Sequence, residues 1–139
     1  MILKFFSSTE EYTRRIAREF ALSLTGNEKI CLVGPLGAGK TTFVRGFVEA
    51  LGIPVEDVMS PTFTLVREYG TGKKIYHVDL YRLEKEDDIF ESGIFDLLGG
   101  EDLVLIEWAD RLKRYHPADC LEVRFMHGRE DIRVIEIGR

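Results

Sequence analysis

Apolar residues in this chain fall alternately into helical repeats and short continuous runs. Tyr12, Ile16, Phe20 and Leu24 recur every four residues, the spacing of one helix face. Ser8-Thr9-Glu10-Glu11 just before them fits a capping box, with Ser8 accepting from the backbone and Glu11 reaching back. A first helix is expected from about Thr9 to Leu24, ended by Gly26-Asn27. Lys29-Ile30-Cys31-Leu32-Val33 is the kind of apolar run that a buried parallel strand needs. Phe43, Val44, Phe47, Val48 and Leu51 return to helical spacing, and Gly52 with Pro54 stops them.

Phe63 to Tyr69 and Lys74 to Asp79 read as two strands joined by Gly70-Thr71-Gly72-Lys73, a four-residue hairpin connection. From Glu86 to Leu98 an acidic start leads to Ile89, Phe90, Ile94, Phe95, Leu97 and Leu98, one short helix or two, weakened by Gly93 and stopped by Gly99-Gly100. Leu103-Val104-Leu105-Ile106 is the purest apolar run and predicts a central strand. Leu121 to Met126 and Ile132 to Ile137 flank His127-Gly128-Arg129-Glu130-Asp131, a closing hairpin. Helices alternating with strands, plus two hairpins, predict an α/β sandwich with a mixed, largely parallel central sheet flanked by helices.

The segment between the first strand and the second helix carries the chemistry. Gly34-Pro35-Leu36-Gly37-Ala38-Gly39-Lys40-Thr41 fits G-x-x-x-x-G-K-[ST] and lies between a strand and a helix, the context that the motif requires. Glycines there let backbone N–H groups approach phosphate oxygens, and the following helix N-terminus favours negative charge. Lys40 would reach the terminal phosphates as a point charge, and Thr41 would place its hydroxyl on magnesium. The sandwich is therefore expected to be of the P-loop NTPase kind.

Such a site needs an acid at a strand end, and Asp79 and Glu107 each close a predicted strand. Glu107 follows four aliphatics and fits the magnesium shell, whereas Asp79 fits a residue that orients a magnesium-bound or attacking water. Ser60-Pro61-Thr62-Phe63-Thr64 occupies the place of a phosphate-sensing loop. Thr62 could bind magnesium or sense the γ-phosphate, and an ordinary hydroxyl-rich turn fits the same composition. The single asparagine, Asn27, precedes Glu28, so the Asn-Lys-x-Asp segment usual in guanine-specific proteins is missing and ATP is the expected nucleotide.

Composition narrows the setting. A chain of 139 residues fits one domain, residues 1–139, and 45% hydrophobic with 31% charged residues is an ordinary globular balance. No apolar run approaches the roughly 20 residues of a membrane span, and the opening Met1-Ile2-Leu3-Lys4-Phe5-Phe6 is too short for a signal-peptide core, so the cytoplasm is expected. A net charge of −5 argues against a chain that grips nucleic acid by itself. Arg111-Leu112-Lys113-Arg114, the densest basic run, reads as a solvated helix end. Cys31 and Cys120 have no metal-ligand spacing, and His77, His116 and His127 are scattered along the sequence.

Four blocks together resemble one family. Gly37-Ala38-Gly39-Lys40-Thr41-Thr42-Phe43, Ser60-Pro61-Thr62-Phe63-Thr64-Leu65-Val66, His77-Val78-Asp79-Leu80-Tyr81-Arg82-Leu83 and Ile106-Glu107-Trp108 resemble, in order and over nearly the whole chain, the TsaE (YjeE) ATPases. The resemblance implies an ATPase that supports formation of threonylcarbamoyladenosine in tRNA. It would be an accessory to the TsaB–TsaD pair, with tRNA involved only indirectly and no membrane. It implies ATP and Mg2+ as ligands, with Gly37, Ala38, Gly39, Lys40, Thr41 and Thr42 around the phosphates. Thr41 and Glu107 would serve the metal, and Asp79, Glu107 and Lys40 the hydrolysis. Trp108 would sit beside the nucleotide and the partner surface, with Thr9 and Arg129 near the nucleotide. Arg82 reads as a surface ion-pair partner. A small-molecule P-loop kinase and a nucleotide-gated binding module share the phosphate cradle and remain alternatives.

Overall fold

The computed structural model describes residues 2–59, 65–70 and 73–138. Its strands are β1 (Leu3–Ser7), β2 (Lys29–Val33), β3 (Val66–Tyr69), β4 (Ile75–Asp79), β5 (Leu103–Glu107), β6 (Leu121–His127) and β7 (Arg133–Gly138). Four α-helices interleave with them, α1 (Glu10–Leu22), α2 (Lys40–Glu49), α3 (Glu86–Glu91) and α4 (Ile94–Leu98), with 3₁₀ segments at Val55–Asp57 and Ala109–Tyr115.

The seven strands form one sheet in the order β1-β7-β6-β2-β5-β4-β3. Pairings β6-β2, β2-β5 and β5-β4 are parallel, and antiparallel β7 and β1 on one side and β3 on the other extend this centre. Every residue of β5 is buried, as expected of a strand covered on both faces. Ile30 and Leu32 of β2 face a core made with α1 and α2, while Cys31 and Val33 face a second core made with α3, α4 and the Ala109–Tyr115 segment. The α/β sandwich with a mixed sheet thus has a parallel centre and antiparallel edges.

Local structure departs from the sequence reading at β1 and at the first helix cap, and over Glu86 to Leu98 it decides between the one helix and the two that were expected. Met1 to Phe6 yields a strand, β1, whose partner β7 lies over a hundred residues away, so no local pattern marks it. The helix cap is Thr9, whose Oγ1 accepts from the Tyr12 N–H at 3.0 Å, and not Ser8. Because β1 runs to Ser7, whose hydroxyl donates to the Thr9 carbonyl at 2.9 Å and contacts Thr13 Oγ1 at 2.8 Å, the turn into α1 falls one residue later. Glu86 to Leu98 gives two helices, split where Gly93 takes φ +81°, a left-handed conformation natural to glycine. The reading of Ser60 to Thr64 as a phosphate-sensing loop, Thr62 included, lies outside the described residues.

Helices α1 and α2 pack unusually close. A Cβ at Gly46 of α2 would stand 2.3 Å from the Arg14 carbonyl oxygen and 2.6 Å from its Cα. Phe20 of α1 then meets Phe43 and Phe47 of α2 with ring centroids 6.1 and 6.0 Å apart.

Candidate functional site

Parallel pairing brings three strand ends to one level. In register, Leu32 of β2 pairs with Glu107 of β5, and Glu107 with Asp79 of β4, so the glycine-rich loop after β2 emerges beside both carboxylates. Ligands in open α/β sheets bind at this carboxyl edge. A cleft of about 350 Å3 opens there, and Gly37, Gly39, Lys40, Thr41 and Thr42 line it with Asp79, Glu107 and Trp108.

The loop has the backbone that a phosphate cradle needs. Gly37 and Gly39 take φ +77° and +104°, and a Cβ built on Gly37 would meet nothing within 4 Å, so the constraint there is conformational. At Gly34 the constraint is space as well, because a Cβ would stand 2.7 Å from the Phe125 carbonyl oxygen on β6. Gly39 caps α2, whose first residue is Lys40. Ala38 is buried in the α1/α2 core and sets the loop against it.

Lys40 is 5% exposed, and its ammonium donates to the carbonyls of Gly34 at 2.6 Å and Pro35 at 2.8 Å. It also lies 4.2 Å from the centroid of the Trp108 ring, a cation–π contact. Burial lowers the Lys40 pKa, opposed by the negative charges of Glu107, Asp79 and Asp110.

Thr41 Oγ1 donates to the two carboxylate oxygens of Glu107 at 3.2 and 3.3 Å. Glu107 is 3% exposed and is held from behind by His77, whose Nε2 stands 2.5 Å from Oε2. The other ring nitrogen of His77 lies 3.5 Å from the Tyr69 hydroxyl. Asp79, also buried, accepts the Tyr81 N–H on Oδ1 at 2.8 Å. A hydroxyl beside a carboxylate, both hard oxygen donors at a cleft, suits Mg2+, which keeps several waters and takes few protein ligands.

Trp108 forms one wall in a left-handed conformation, φ 59° and ψ 39°, sparsely populated for a bulky side chain. Tyr81 packs on it at 5.0 Å between centroids, and the Arg111 guanidinium lies 5.8 Å from each of the two rings. The basic run is therefore partly engaged, with Arg114 also 3.3 Å from Glu86.

Most of the residues singled out from sequence meet here, with exceptions. Arg129 sits exposed in the β6–β7 turn and does not line the cleft, whereas Arg133, four residues on at the start of β7, does. A Cβ at Gly39 would lie 2.9 Å from Arg133 Nη1, so this guanidinium touches the glycine loop itself. Thr9 caps α1, and its neighbour Glu10 reaches the cleft wall. Sequence reasoning passed over His77, although strand alternation places it on the same sheet face as Asp79 two residues later.

Among the described residues, no helix is long and apolar enough to cross a membrane. The family model described as threonylcarbamoyl adenosine biosynthesis protein TsaE matches residues 7–135. The tRNA threonylcarbamoyladenosine biosynthesis protein TsaE of Aquifex aeolicus is 42% identical over 134 residues, covering 94% of this chain and 92% of its own length. The Bacillus subtilis protein of the same name is 37% identical over 134 residues, covering 96% and 83%. The crystal structure of Bacillus subtilis YdiB superposes with a TM-score of 0.76 at 32% identity, over 99% of this chain and 84% of that one. With the phosphate-type loop, the strand-end acids and a family match over nearly its whole length, the chain belongs to the TsaE family of threonylcarbamoyladenosine biosynthesis proteins.

Proposed function

We propose that this protein is a magnesium-dependent ATPase that supports the TsaB–TsaD pair in threonylcarbamoyladenosine modification of tRNA. The observation that carries the reading is the Thr41–Glu107 contact inside the glycine-loop cleft. It joins the hydroxyl that follows the loop lysine to a strand-end carboxylate, the pairing a magnesium–triphosphate site needs.

In this reading the N–H groups from Gly37 to Thr42, at the start of α2, take the phosphate oxygens, and Lys40 turns its ammonium from the loop carbonyls toward the terminal phosphates. Thr41 and Glu107 hold the metal, which when bound neutralises charge on the phosphates. His77 fixes the Glu107 carboxylate. Asp79, buried at the end of β4, would accept a hydrogen bond from a magnesium-bound or attacking water and so orient it. Arg133 offers a second cation beside the glycine loop, and Trp108 closes one side. Acidic net charge fits a chain that meets tRNA only through its partners.

Phosphate release from Mg-ATP, measured for the chain alone and with TsaB–TsaD and with no other acceptor present, tests this. Strong stimulation by the pair, lost in Glu107→Ala, is expected. Nucleotide binding without any stimulated release would refute the reading and favour a kinase with a separate acceptor.

A further inference from the structure

In the second core, behind the glycine loop, Cys31 converges with two side chains that lie far from it in sequence and four residues from each other. The ligand atoms of Cys31, His116 and Cys120 all lie within 4.8 Å of one another. Cys31 sits in the middle of β2, fully buried, and Cys120 is 7% exposed just ahead of β6. His116 ends the 3₁₀ segment that follows Trp108. Cys31 thus comes from β2, and His116 and Cys120 both come from the connection between β5 and β6.

The geometry points to a site for a thiophilic divalent cation: we propose that Cys31, Cys120 and His116 bind zinc. Zinc ligands at about 2.3 Å for sulfur and 2.0–2.1 Å for nitrogen place a sulfur and a nitrogen about 3.6 Å apart at a tetrahedral centre. The two nitrogens of His116 stand 3.5 Å (Nδ1) and 3.7 Å (Nε2) from Cys120 Sγ. Nδ1 is also 3.2 Å from the Pro117 carbonyl oxygen, so with its proton there it leaves Nε2 to the metal, the usual outer arrangement of a ligating histidine.

Binding would release both thiol protons to solvent, leaving two thiolates to neutralise the two charges of the ion. The fourth position would be taken by water, because His116 and Glu122 line a cavity of about 370 Å3. Gly34, Pro35 and Trp108 line the same cavity, so the bound ion would brace the loop and wall of the cleft from behind.

The test is zinc binding by the full chain under a phosphine reductant, by competition with a chromophoric chelator, with cobalt as spectroscopic substitute. One ion per chain is expected, with a thiolate-to-cobalt charge-transfer band. Cys120→Ser should remove the band and lower zinc affinity by more than 100-fold. His116→Gln should keep sulfur ligation but weaken binding at least tenfold. Zinc, and not magnesium, should raise the melting temperature of the native chain more than that of Cys120→Ser. If no band appears, or if Cys120→Ser binds zinc as the native chain does, the ion sits elsewhere, at the Asp79–Glu107 cleft for instance, and the proposal fails. Cys120→Ser and His116→Gln keep the test informative even if Cys31→Ser, in the core, does not fold.

Discussion

Replacing Gly46 by alanine should destabilise this protein, although the same change in most helices does the reverse. In a helix interior, glycine to alanine gains roughly 0.5–1 kcal/mol through lower backbone entropy in the unfolded chain. At Gly46 the new methyl would stand 2.3 Å from the Arg14 carbonyl oxygen, 2.6 Å from Arg14 Cα and 2.8 Å from its carbonyl carbon. These are backbone atoms of α1 and cannot swing aside, so relief requires the whole helix to withdraw by about 1 Å to reach ordinary contact. Withdrawal would loosen Phe20 against Phe43 and Phe47. Overpacking costs about 1–3 kcal/mol, and a clash this short with backbone belongs in the upper half of that range, so about 2–3 kcal/mol set against a gain of about 1 kcal/mol leaves a net loss of about 1–2 kcal/mol. With an unfolding entropy of about 2.1 cal/mol/K per residue, the 139 residues give about 0.3 kcal/mol/K. Calorimetry should therefore show the melting temperature falling by roughly 3–7 °C. An unchanged or higher melting temperature would mean that the helices yield freely, and the argument from close approach would be wrong. Because Glu10 at the start of α1 lines the cleft, nucleotide binding offers a second readout of the same displacement.

Three further outcomes follow from the site and its surroundings. Lys40→Ala removes a charged donor from the cleft, a loss of about 1.5–3 kcal/mol per charge-assisted bond. Titration with a fluorescent ATP analogue should show affinity falling at least tenfold; native-like affinity would take Lys40 out of phosphate binding. His77→Leu leaves the buried Glu107 carboxylate without the donor at 2.5 Å, at a cost of about 1–3 kcal/mol. Urea unfolding should show the lower midpoint, and an unchanged midpoint would refute the role of His77 as support. Glu28 is opposed by burial but held down to about 2 by the N–H groups of Thr25 and Gly26 and by the Thr25 hydroxyl. Because its folded pKa lies below its ordinary value, its contribution is present above pH 4.5 and is lost as pH falls toward about 2. Melting curves of Glu28→Gln and the native chain should thus converge over that range; a constant gap would place the effect elsewhere.

What the sequence disclosed, and what it concealed, follows the range of the interactions. The glycine loop, β2 and α2 were legible because strand, turn and helix are contiguous and each carries its own periodicity. Glu107 and Asp79 were legible as strand ends, since the apolar runs before them must be buried. β1 was not, because its reason to exist is the ladder to β7. The Thr9 cap was missed by one residue because Ser7 is spent on Thr9 and Thr13 across the strand–helix turn, a contact no capping pattern encodes. Arg133 was missed and Arg129 chosen because only the register of β7 decides which arginine faces the glycine loop. Cys31, His116 and Cys120 looked unrelated for the same reason: parallel pairing of β2 with β6 brings the first within reach of the third.

The sheet does more than hold the cleft; it separates two chemistries that share a wall. Alternation along β5 sends Leu105 and Glu107 to the α1/α2 side, and Val104 and Ile106 to the α3/α4 side. The chain then turns at Trp108, whose left-handed backbone, costing on the order of 1–3 kcal/mol, lets one indole border the glycine-loop cleft and the cavity behind it. The Lys40 ammonium on one side and the Tyr81 and Arg111 side chains around the rim hold that ring. A glycine at position 108 would relieve the backbone and remove the wall at once, so strain and site cannot be optimised separately there. That conflict locates the functional constraint of the chain at the β5 end: the backbone accepts an unfavourable conformation because the ring must stand between the phosphate loop and the β5–β6 connection.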